Sequence, residues 1–197
     1  MAWLRKFEQI SWPHFVKVEP VGSFREISRI QKRYRADLEG EYDAVASYRL
    51  DDDDIAGPNF FRNFRLHAIP QNLGKVISLS RGVGAVYQDS EFRSARDCFV
   101  PFTAIGLAEL TSADGPPQAE AWLPRPKPMP GGHKKIATRL PVVEDGRFLN
   151  WIRVFSDSQD TSFGRSNSPL DLLQRFPELD RDFLVECGFE SFPIRFD

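Results

Sequence analysis

The hydrophobic pattern of residues 24–38 predicts an amphipathic helix. Ser23 and Glu26 stand at the spacing of a capping box, in which each side chain accepts a bond from the other residue's backbone N–H. Gly40 is a typical helix terminator, so we expect the helix to end just before it. Apolar side chains recur at steps of three and four residues, the spacing of one helix face: Phe24, Ile27, Ile30, Tyr34 and Leu38.

A strand, an acidic run and a second helix follow. Residues 42–50 hold mainly apolar positions, which predicts a largely buried strand. Four consecutive aspartates come directly after it, at positions 51–54. Proline suits the first position of a helix. We therefore expect a helix that begins near Pro58, ends before Pro70 and buries four apolar side chains: Phe60, Phe61, Phe64 and Leu66. The order helix, strand, acidic turn, helix is typical of an α/β protein.

The rest of the chain alternates between strand and helix patterns. Strands are predicted at residues 75–80, 84–88 and 148–155, and Arg81 and Gly82 would form the turn between the first two. Helices are predicted at residues 101–110, after Ser168, and from Pro177 to a stop at Gly188.

Residues 115–132 contain six prolines. Proline at this density excludes a regular helix or a central strand, which predicts an ordered loop or a mobile lid. The length of 197 residues fits one domain over residues 1–197 that includes this loop.

The composition is that of a globular protein, with 41 % hydrophobic and 27 % charged residues. We expect no transmembrane segment, because no apolar stretch approaches the ~18 residues that a membrane helix needs. The N-terminus lacks the apolar core of a secretory signal, and two cysteines are too few for a disulfide framework, so cytoplasmic residence is expected. The net charge of −2 and the scattered basic residues give no footprint for nucleic acid.

The acidic run has two interpretations. Carboxylate oxygens are preferred ligands of Mg²⁺ and Mn²⁺, and ligands of open α/β sheets bind at the ends of strands, which favours a metal–diphosphate site. Alternatively, the run is an exposed loop whose negative charge caps the following helix. The residues alone leave both open.

The sequence S-Y-R-L-D-D-D-D-I-A over residues 47–56 resembles the T-R-L-D-x-D-D-A-L element of the bacterial putative-rhamnosyltransferase family, which consists of GT-A glycosyltransferases. The resemblance implies an α/β fold with a mainly parallel central sheet flanked by helices. It further implies that Asp51 and Asp53 bind Mn²⁺ or Mg²⁺ with the diphosphate of a nucleotide sugar. Arg49, Asp52 and Asp54 would contact the same donor.

The similarity continues more weakly downstream. Residues 98–109 resemble the family's N-P-F-L-S-L-x-E helix, and residues 150–155 resemble its M-W-L-Q-V-V strand. His133 occupies the place of a histidine-containing stretch, where it would contact the diphosphate or be an ordinary loop residue. The family strand runs into H-G-x-N-x-S, whereas this chain has S-D-S-Q-D at 156–160. Either His133 or Asp157 would replace the missing histidine, or the site is weaker or inactive.

The family's GT-A domains place nucleotide-binding strands before the acidic element. Fifty residues precede Asp51 here, so we expect either an upstream start or a shortened nucleotide pocket.

The resemblance implies transfer of a sugar from a nucleotide-diphosphate donor to a glycan or other acceptor, as in polysaccharide biosynthesis. An inverting transferase also needs a carboxylate base for the acceptor hydroxyl. Asp114 is favoured because it precedes the Pro-rich loop, with Glu120 as the alternative and Glu109 in the same portion of the chain; each could instead be an ordinary acid. The competing hypothesis is a non-catalytic glycan- or protein-binding module on a degenerate GT-A scaffold.

Overall fold

The computed structural model describes residues 40–48, 54–88, 91–113, 133–156 and 174–190, together with seven helical positions between residues 26 and 37. The strands within these ranges are β1 (Ala44–Tyr48), β2 (Asp54–Ala56), β3 (Lys75–Leu79), β4 (Arg81–Gln88), β5 (Glu91–Phe99), β6 (Leu107–Ser112), β7 (Val142–Asp145) and β8 (Trp151–Ser156). The α-helices with described ends are α1 (Phe60–Arg65) and α2 (Arg181–Glu186). Short 3-10 helices lie at Pro70–Asn72, Ala104–Gly106 and His133–Thr138.

Two four-stranded sheets organise these elements. The first sheet has the order β1-β6-β3-β7, and the second has the order β2-β8-β4-β5. Ser80 is the only residue between β3 of the first sheet and β4 of the second. Its backbone N–H donates to the carbonyl of Asp145, and its carbonyl accepts from the N–H of Val100. The chain therefore passes between the sheets with its backbone polar groups satisfied.

Apolar clusters cover both faces of each sheet. Phe60 and Phe64 of α1 pack against β3 and β6 on one face of the first sheet, and Ile136 of the third 3-10 helix packs on its other face. Leu184 of α2 joins Val83, Ala85, Ala95 and Ile152 on one face of the second sheet. The opposite face of that sheet buries Val86, Cys98, Trp151 and Phe155 around Ile105.

Trp151 joins the two sheets. Its side chain is almost fully buried, and the indole Nε1 donates to the carbonyl of Leu79 at the end of β3 over 2.7 Å. Gly82 permits this position, because a Cβ on Gly82 would lie 2.2 Å from Cδ2 of the indole. The absence of a side chain at one position of β4 thus allows the largest side chain of β8 to fill the space between the sheets.

Several predicted elements are confirmed. Described positions between 26 and 37 are helical, and the expected strands near residues 42–50, 75–80 and 148–155 correspond to β1, β3 and β8. The helix after Pro58 is α1, which ends before Pro70. It buries Phe60 and Phe64 as predicted, but the prediction for Phe61 and Leu66 is wrong, since each is 54 % exposed. The last predicted helix is α2; it begins at the N-cap Asp180, whose side chain accepts from the backbone N–H of Phe183, and Gly188 with φ +87° follows its end. The predicted helix after Ser168 and the loop at 115–132 lie outside the described residues.

The α/β class is confirmed, but a mainly parallel sheet is not found. Of the six pairings between described strands, β3–β7 and β4–β8 are parallel and four are antiparallel. The spacing of the strands along the chain explains part of this result. Only two residues separate β4 from β5, and a parallel connection requires a crossover of about a dozen residues or more.

Two local predictions are wrong. Residues 101–110 form a short 3-10 helix followed by β6 instead of an α-helix. Phe102 has a left-handed backbone with φ +59°, which stops helix formation, and β6 pairs on both sides with β1 and β3. Arg81 and Gly82 belong to β4 and do not form a turn, because β3 and β4 lie in different sheets.

No helix among the described residues combines the length and apolar character that a membrane crossing requires.

Candidate functional site

The acidic run lies in the sequence between the two sheets. β1 ends at Tyr48 in the first sheet, and β2 begins at Asp54 in the second. Asp54, the last residue of the run, is only 7 % exposed. Its register partner on β8 is Arg153, and side chains of register partners lie on the same face of a sheet. The end of the acidic run is therefore paired with the strand segment that resembles the family's M-W-L-Q-V-V element.

A row of charged residues crosses the second sheet from this point. Arg153 is in register with Gly84 of β4, and Gly84 is in register with Arg96 of β5. Nη2 of Arg96 lies 3.5 Å from Oε2 of Glu178, and Nη1 donates to the carbonyl of Phe176. Guanidinium groups bind phosphate oxygens and carboxylates bind hard cations. The row thus carries both kinds of group that a metal–diphosphate complex requires.

The same face contains buried polar atoms with unused bonding capacity. Nε of Arg153 and Oγ of Ser94 are buried, and neither has a hydrogen-bond partner in the part of the chain that the structure describes. The Arg153 guanidinium lies 5.9 Å from the centroid of the Phe155 ring. Because buried polar atoms are normally bonded, these two atoms are exceptions that set this face apart from an ordinary apolar core.

Cys98 shares this face but has the properties of a core residue. It is 2 % exposed, and burial raises the pKa of its thiol to about 12, although a backbone bond at Gly84 and the charges of Arg175 and Arg153 act in the opposite direction. A thiol with such a pKa is protonated at neutral pH and is a poor nucleophile or metal ligand.

Aromatic rings meet at the end of β1, which precedes the acidic run in the sequence. The Tyr48 ring meets those of Phe60 and Phe61 edge to face, with centroids 6.0 Å and 5.6 Å away. Phe60 is buried, whereas Tyr48 is 46 % and Phe61 54 % exposed. Burial raises the pKa of the Tyr48 hydroxyl, which keeps it a neutral hydrogen-bonding group at physiological pH. Two half-exposed rings are therefore available to a planar or pyranose ligand.

Most of the predicted site residues lie outside the described residues: Arg49, Asp51, Asp52, Asp53, Asp114 and Glu120. His133 is the first residue of the third 3-10 helix, and the structure describes its backbone. Glu109 is described and is 1 % exposed on β6, so it is not placed to meet an acceptor hydroxyl. The structure therefore brings together Asp54 and Arg153, and leaves the remaining assignments as predictions.

Among the described residues, no three His, Cys, Asp or Glu side chains are grouped so that they could hold a metal ion. Asp51 and Asp53, the expected metal ligands, are not among those residues.

The sequence patterns did not indicate a second group of arginines. Arg62 of α1, Arg81 of β4 and Arg147, two residues after β7, line one cleft of about 430 Å³. These residues are far apart in the chain and belong to no motif, so only the tertiary structure brings them together.

One carboxylate behind this cleft, that of Asp145, belongs to a connected polar network. Asp145 accepts both Nε and Nη2 of Arg147 and also contacts Nε2 of His67. The pKa of the Asp145 carboxyl lies far below its ordinary value, mainly because of its hydrogen bonds to the Arg147 guanidinium. Burial raises this pKa, whereas the Arg147 backbone N–H and His67 lower it further. Asp145 is thus ionised throughout the physiological pH range.

Comparison with known proteins identifies one family. The family described as "Putative rhamnosyl transferase" matches residues 2–167, most of the chain, and this range includes the acidic run, β8 and the third 3-10 helix. No curated protein and no solved structure gives a match. The chain therefore belongs to the putative rhamnosyl transferase family.

Proposed function

We propose that this protein is a glycosyltransferase that moves a sugar from a nucleotide-diphosphate donor to a glycan or other acceptor, on a GT-A-like scaffold. The observation that carries the proposal is the β2–β8 pairing together with the family match. Two segments about 100 positions apart in sequence, 47–56 and 150–155, both resemble family elements. They meet at Asp54 and Arg153, as residues of one site should.

The donor's diphosphate is assigned to the N-terminal end of β2, where the acidic run enters the strand. Asp51 and Asp53 would hold Mn²⁺ or Mg²⁺, because aspartate oxygens are the donor atoms that these hard cations prefer. When bound, such an ion acts as a Lewis acid that offsets negative charge on a diphosphate leaving group. Asp52 and Asp54 complete the acidic group, and Asp54 is held by its place in the sheet.

Positively charged and hydrogen-bonding groups would bind the donor from the protein side. Arg153, in register with Asp54, is assigned to a phosphate oxygen, and Arg49 and His133 to the same diphosphate. A preorganised guanidinium stabilises charge as it develops on the leaving group, which is usually a large catalytic effect. The half-exposed rings of Tyr48 and Phe61 would contact the sugar or the base of the donor.

A carboxylate completes the chemistry. Asp114, or Glu120 in its place, would accept the proton of the acceptor hydroxyl while that oxygen attacks the donor's anomeric carbon. The bond from that carbon to the diphosphate oxygen breaks as the new glycosidic bond forms.

A thermal-shift screen of nucleotide sugars, with and without Mn²⁺, tests the proposal directly. We expect one class of donor to raise the melting temperature only when Mn²⁺ is present, because a ligand that binds the folded state stabilises it. The double variant Asp51→Ala/Asp53→Ala should lose this shift while it keeps the wild-type melting temperature without ligand. A folded wild-type protein that responds to no donor would contradict the proposal and favour the non-catalytic binding module.

The catalytic assignment needs a second measurement. The donor identified in the screen is incubated with the protein, and the release of nucleoside diphosphate is followed with and without candidate acceptors. Asp114→Asn should abolish acceptor-dependent release but retain the donor-induced thermal shift. If a folded variant loses both the release and the thermal shift, Asp114 serves donor binding instead. If the release is unchanged, Glu120 is the candidate base.

A further inference from the structure

A cleft of about 430 Å³ lies between α1, the segment that follows β7, and α2. Asp54, the described residue of the acidic run, does not line it. The backbone N–H of Gly57, just after the end of β2, donates to the carbonyl of Asn150 next to the cleft-lining Leu149, whereas Asp54 is at the opposite end of β2. The volume is within the range of small-molecule sites, about 300–1,000 Å³.

Two of the three arginines in this cleft are fixed from behind. Arg81 donates from Nε and Nη2 to the two carboxylate oxygens of Asp97, over 2.8 and 2.6 Å. Arg147 donates from Nε and Nη2 to Asp145, over 3.0 and 2.7 Å. Each guanidinium uses one edge for its carboxylate, which leaves Nη1 for other partners. Among the described residues, Arg81 Nη1 makes one long bond of 3.5 Å, to the carbonyl of Arg147.

Aromatic rings lie against the same guanidiniums. The Arg147 guanidinium carbon lies 5.3 Å from the centroid of the Phe148 ring, and that of Arg81 lies 6.0 Å from the Phe183 ring. Both rings line the cleft. Contact with an aromatic ring restricts a guanidinium, which lowers the entropy lost when it binds an anion.

The third arginine is available. Arg62 is exposed on α1, and no described residue makes a hydrogen bond or ion pair with its guanidinium. The neighbouring amides are already used: Asn63 Nδ2 donates to Oδ1 of Asn150, and Asn59 Nδ2 to the carbonyl of Cys187. Among the residues that line the cleft, Glu186 is the single carboxylate, and it is exposed.

We propose that this cleft binds a saccharide that carries an oxyanion, either a carboxylate or a phosphate. Arg62 and the free edges of Arg81 and Arg147 would bind the oxyanion, since guanidinium forks match both groups. The apolar walls formed by Leu66, Leu149 and the 42 %-exposed Phe148 would contact the C–H face of the sugar ring. Binding at this cleft does not require the transfer reaction proposed above.

Isothermal titration calorimetry with four probes tests the ligand class: glucuronate, glucose 1-phosphate, glucose and inorganic phosphate. At least one of the two anionic sugars should bind at least about tenfold more tightly than glucose, because its oxyanion accepts charge-assisted bonds from the guanidiniums that glucose cannot accept. The stronger of the two identifies the oxyanion. If inorganic phosphate binds as tightly as both anionic sugars, the cleft does not recognise a saccharide. If neither anionic sugar binds, the proposal of a binding site in this cleft is wrong.

Matched variants test the location. Arg62→Gln should lower the affinity for the preferred anionic sugar by about tenfold. Arg65→Gln, on the same helix but outside the cleft lining, should leave the affinity unchanged. Equal losses in both variants would overturn the assignment. The Asp51→Ala/Asp53→Ala variant should bind as the wild type does, and loss of binding in that variant would place the anion at the donor site instead.

Discussion

Nε2 of His67 lies 2.7 Å from Oδ2 of Asp145, and this buried contact joins the loop after α1 to the end of β7. The Asp145 side chain is 2 % exposed and also accepts three bonds from Arg147, including one from its backbone N–H at 2.9 Å. One carboxylate thus fixes two segments of the chain and positions the Arg147 guanidinium at the cleft.

Replacement of this carboxylate should destabilise the protein. Asp145→Asn removes the charge that Arg147 and His67 contact, and we expect the free energy of unfolding to fall by about 2–3 kcal/mol at pH 7. Glu144→Gln, an exposed neighbour on the same strand, is the control and should change it by less than about 0.5 kcal/mol. Urea unfolding measures both. Similar values for the two variants would contradict the structural role of Asp145.

The same carboxylate should make stability depend on pH in the acidic range. Its pKa is lowered in the folded state, chiefly by Arg147, so its contribution is complete above the unfolded-state value of about 3.9. That contribution is lost as the pH falls from there toward the folded-state pKa. The difference in unfolding free energy between wild type and Asp145→Asn should therefore be constant from pH 7 to pH 5 and shrink below pH 4. A constant difference down to pH 2.5 would contradict the linkage.

The packing of Trp151 against Gly82 predicts a severe effect of one methyl group. Gly82→Ala places a Cβ 2.2 Å from the indole, and the carbonyl of Trp151 is only 2.5 Å from the same position, so neither neighbour can yield easily. We expect the free energy of unfolding to fall by at least about 2 kcal/mol. Gly40→Ala is the control, since Gly40 has φ +77° and nothing within 4 Å of its Cβ position; backbone strain alone should cost about 1 kcal/mol. A larger loss at Gly40 than at Gly82 would contradict the packing argument.

The two free cysteines should differ in reactivity. Cys98 is buried with a pKa raised to about 12, whereas Cys187 is partly exposed, with a pKa raised mainly by partial burial. At pH 8, a thiol reagent should modify Cys187 slowly and Cys98 only after unfolding. The Cys187→Ser variant should release no chromophore from Ellman's reagent until denaturant is added. Rapid reaction of this variant in its native state would show that Cys98 is accessible.

The assignment of Arg153 to the donor phosphate can be tested without an acceptor. Arg153→Gln should reduce the affinity for the nucleotide sugar by about tenfold, and Arg153→Lys should recover part of the loss because it restores the charge but not the planar fork. Arg181→Gln, exposed at the start of α2, is the control. Affinities are compared by titration in saturating Mn²⁺. An unchanged affinity in Arg153→Gln would remove this residue from the proposed site.

The sequence was informative where local physics decides structure. The helix pattern of residues 24–38, the strand before the acidic run and the helix after Pro58 depend on side-chain periodicity and on proline and glycine, which act within a few residues. The quoted motifs also led to the family, which the comparison confirms. By contrast, β5 was not predicted, because its charged residues interrupt the apolar pattern and its stability comes from pairing along β4.

Local patterns failed wherever a distant partner determined the result. The segment 107–112 has apolar spacing that fits a helix or a strand, and its position between β1 and β3 decided for the strand. Gly82 reads as a turn residue in sequence, but the indole of Trp151, 69 positions later, requires a glycine there within a strand.

The sequence by itself determined the family, the α/β class and the acidic run as the candidate donor site, because these depend on residue identity and short-range spacing. The tertiary structure decided which charges meet. Asp54 lies opposite Arg153 only because β2 pairs with β8, and Arg62, Arg81 and Arg147 share a cleft only because α1, β4 and the segment after β7 converge there. Strand register and helix docking are set by the burial of apolar surface between segments far apart in the chain, and no local pattern encodes those contacts.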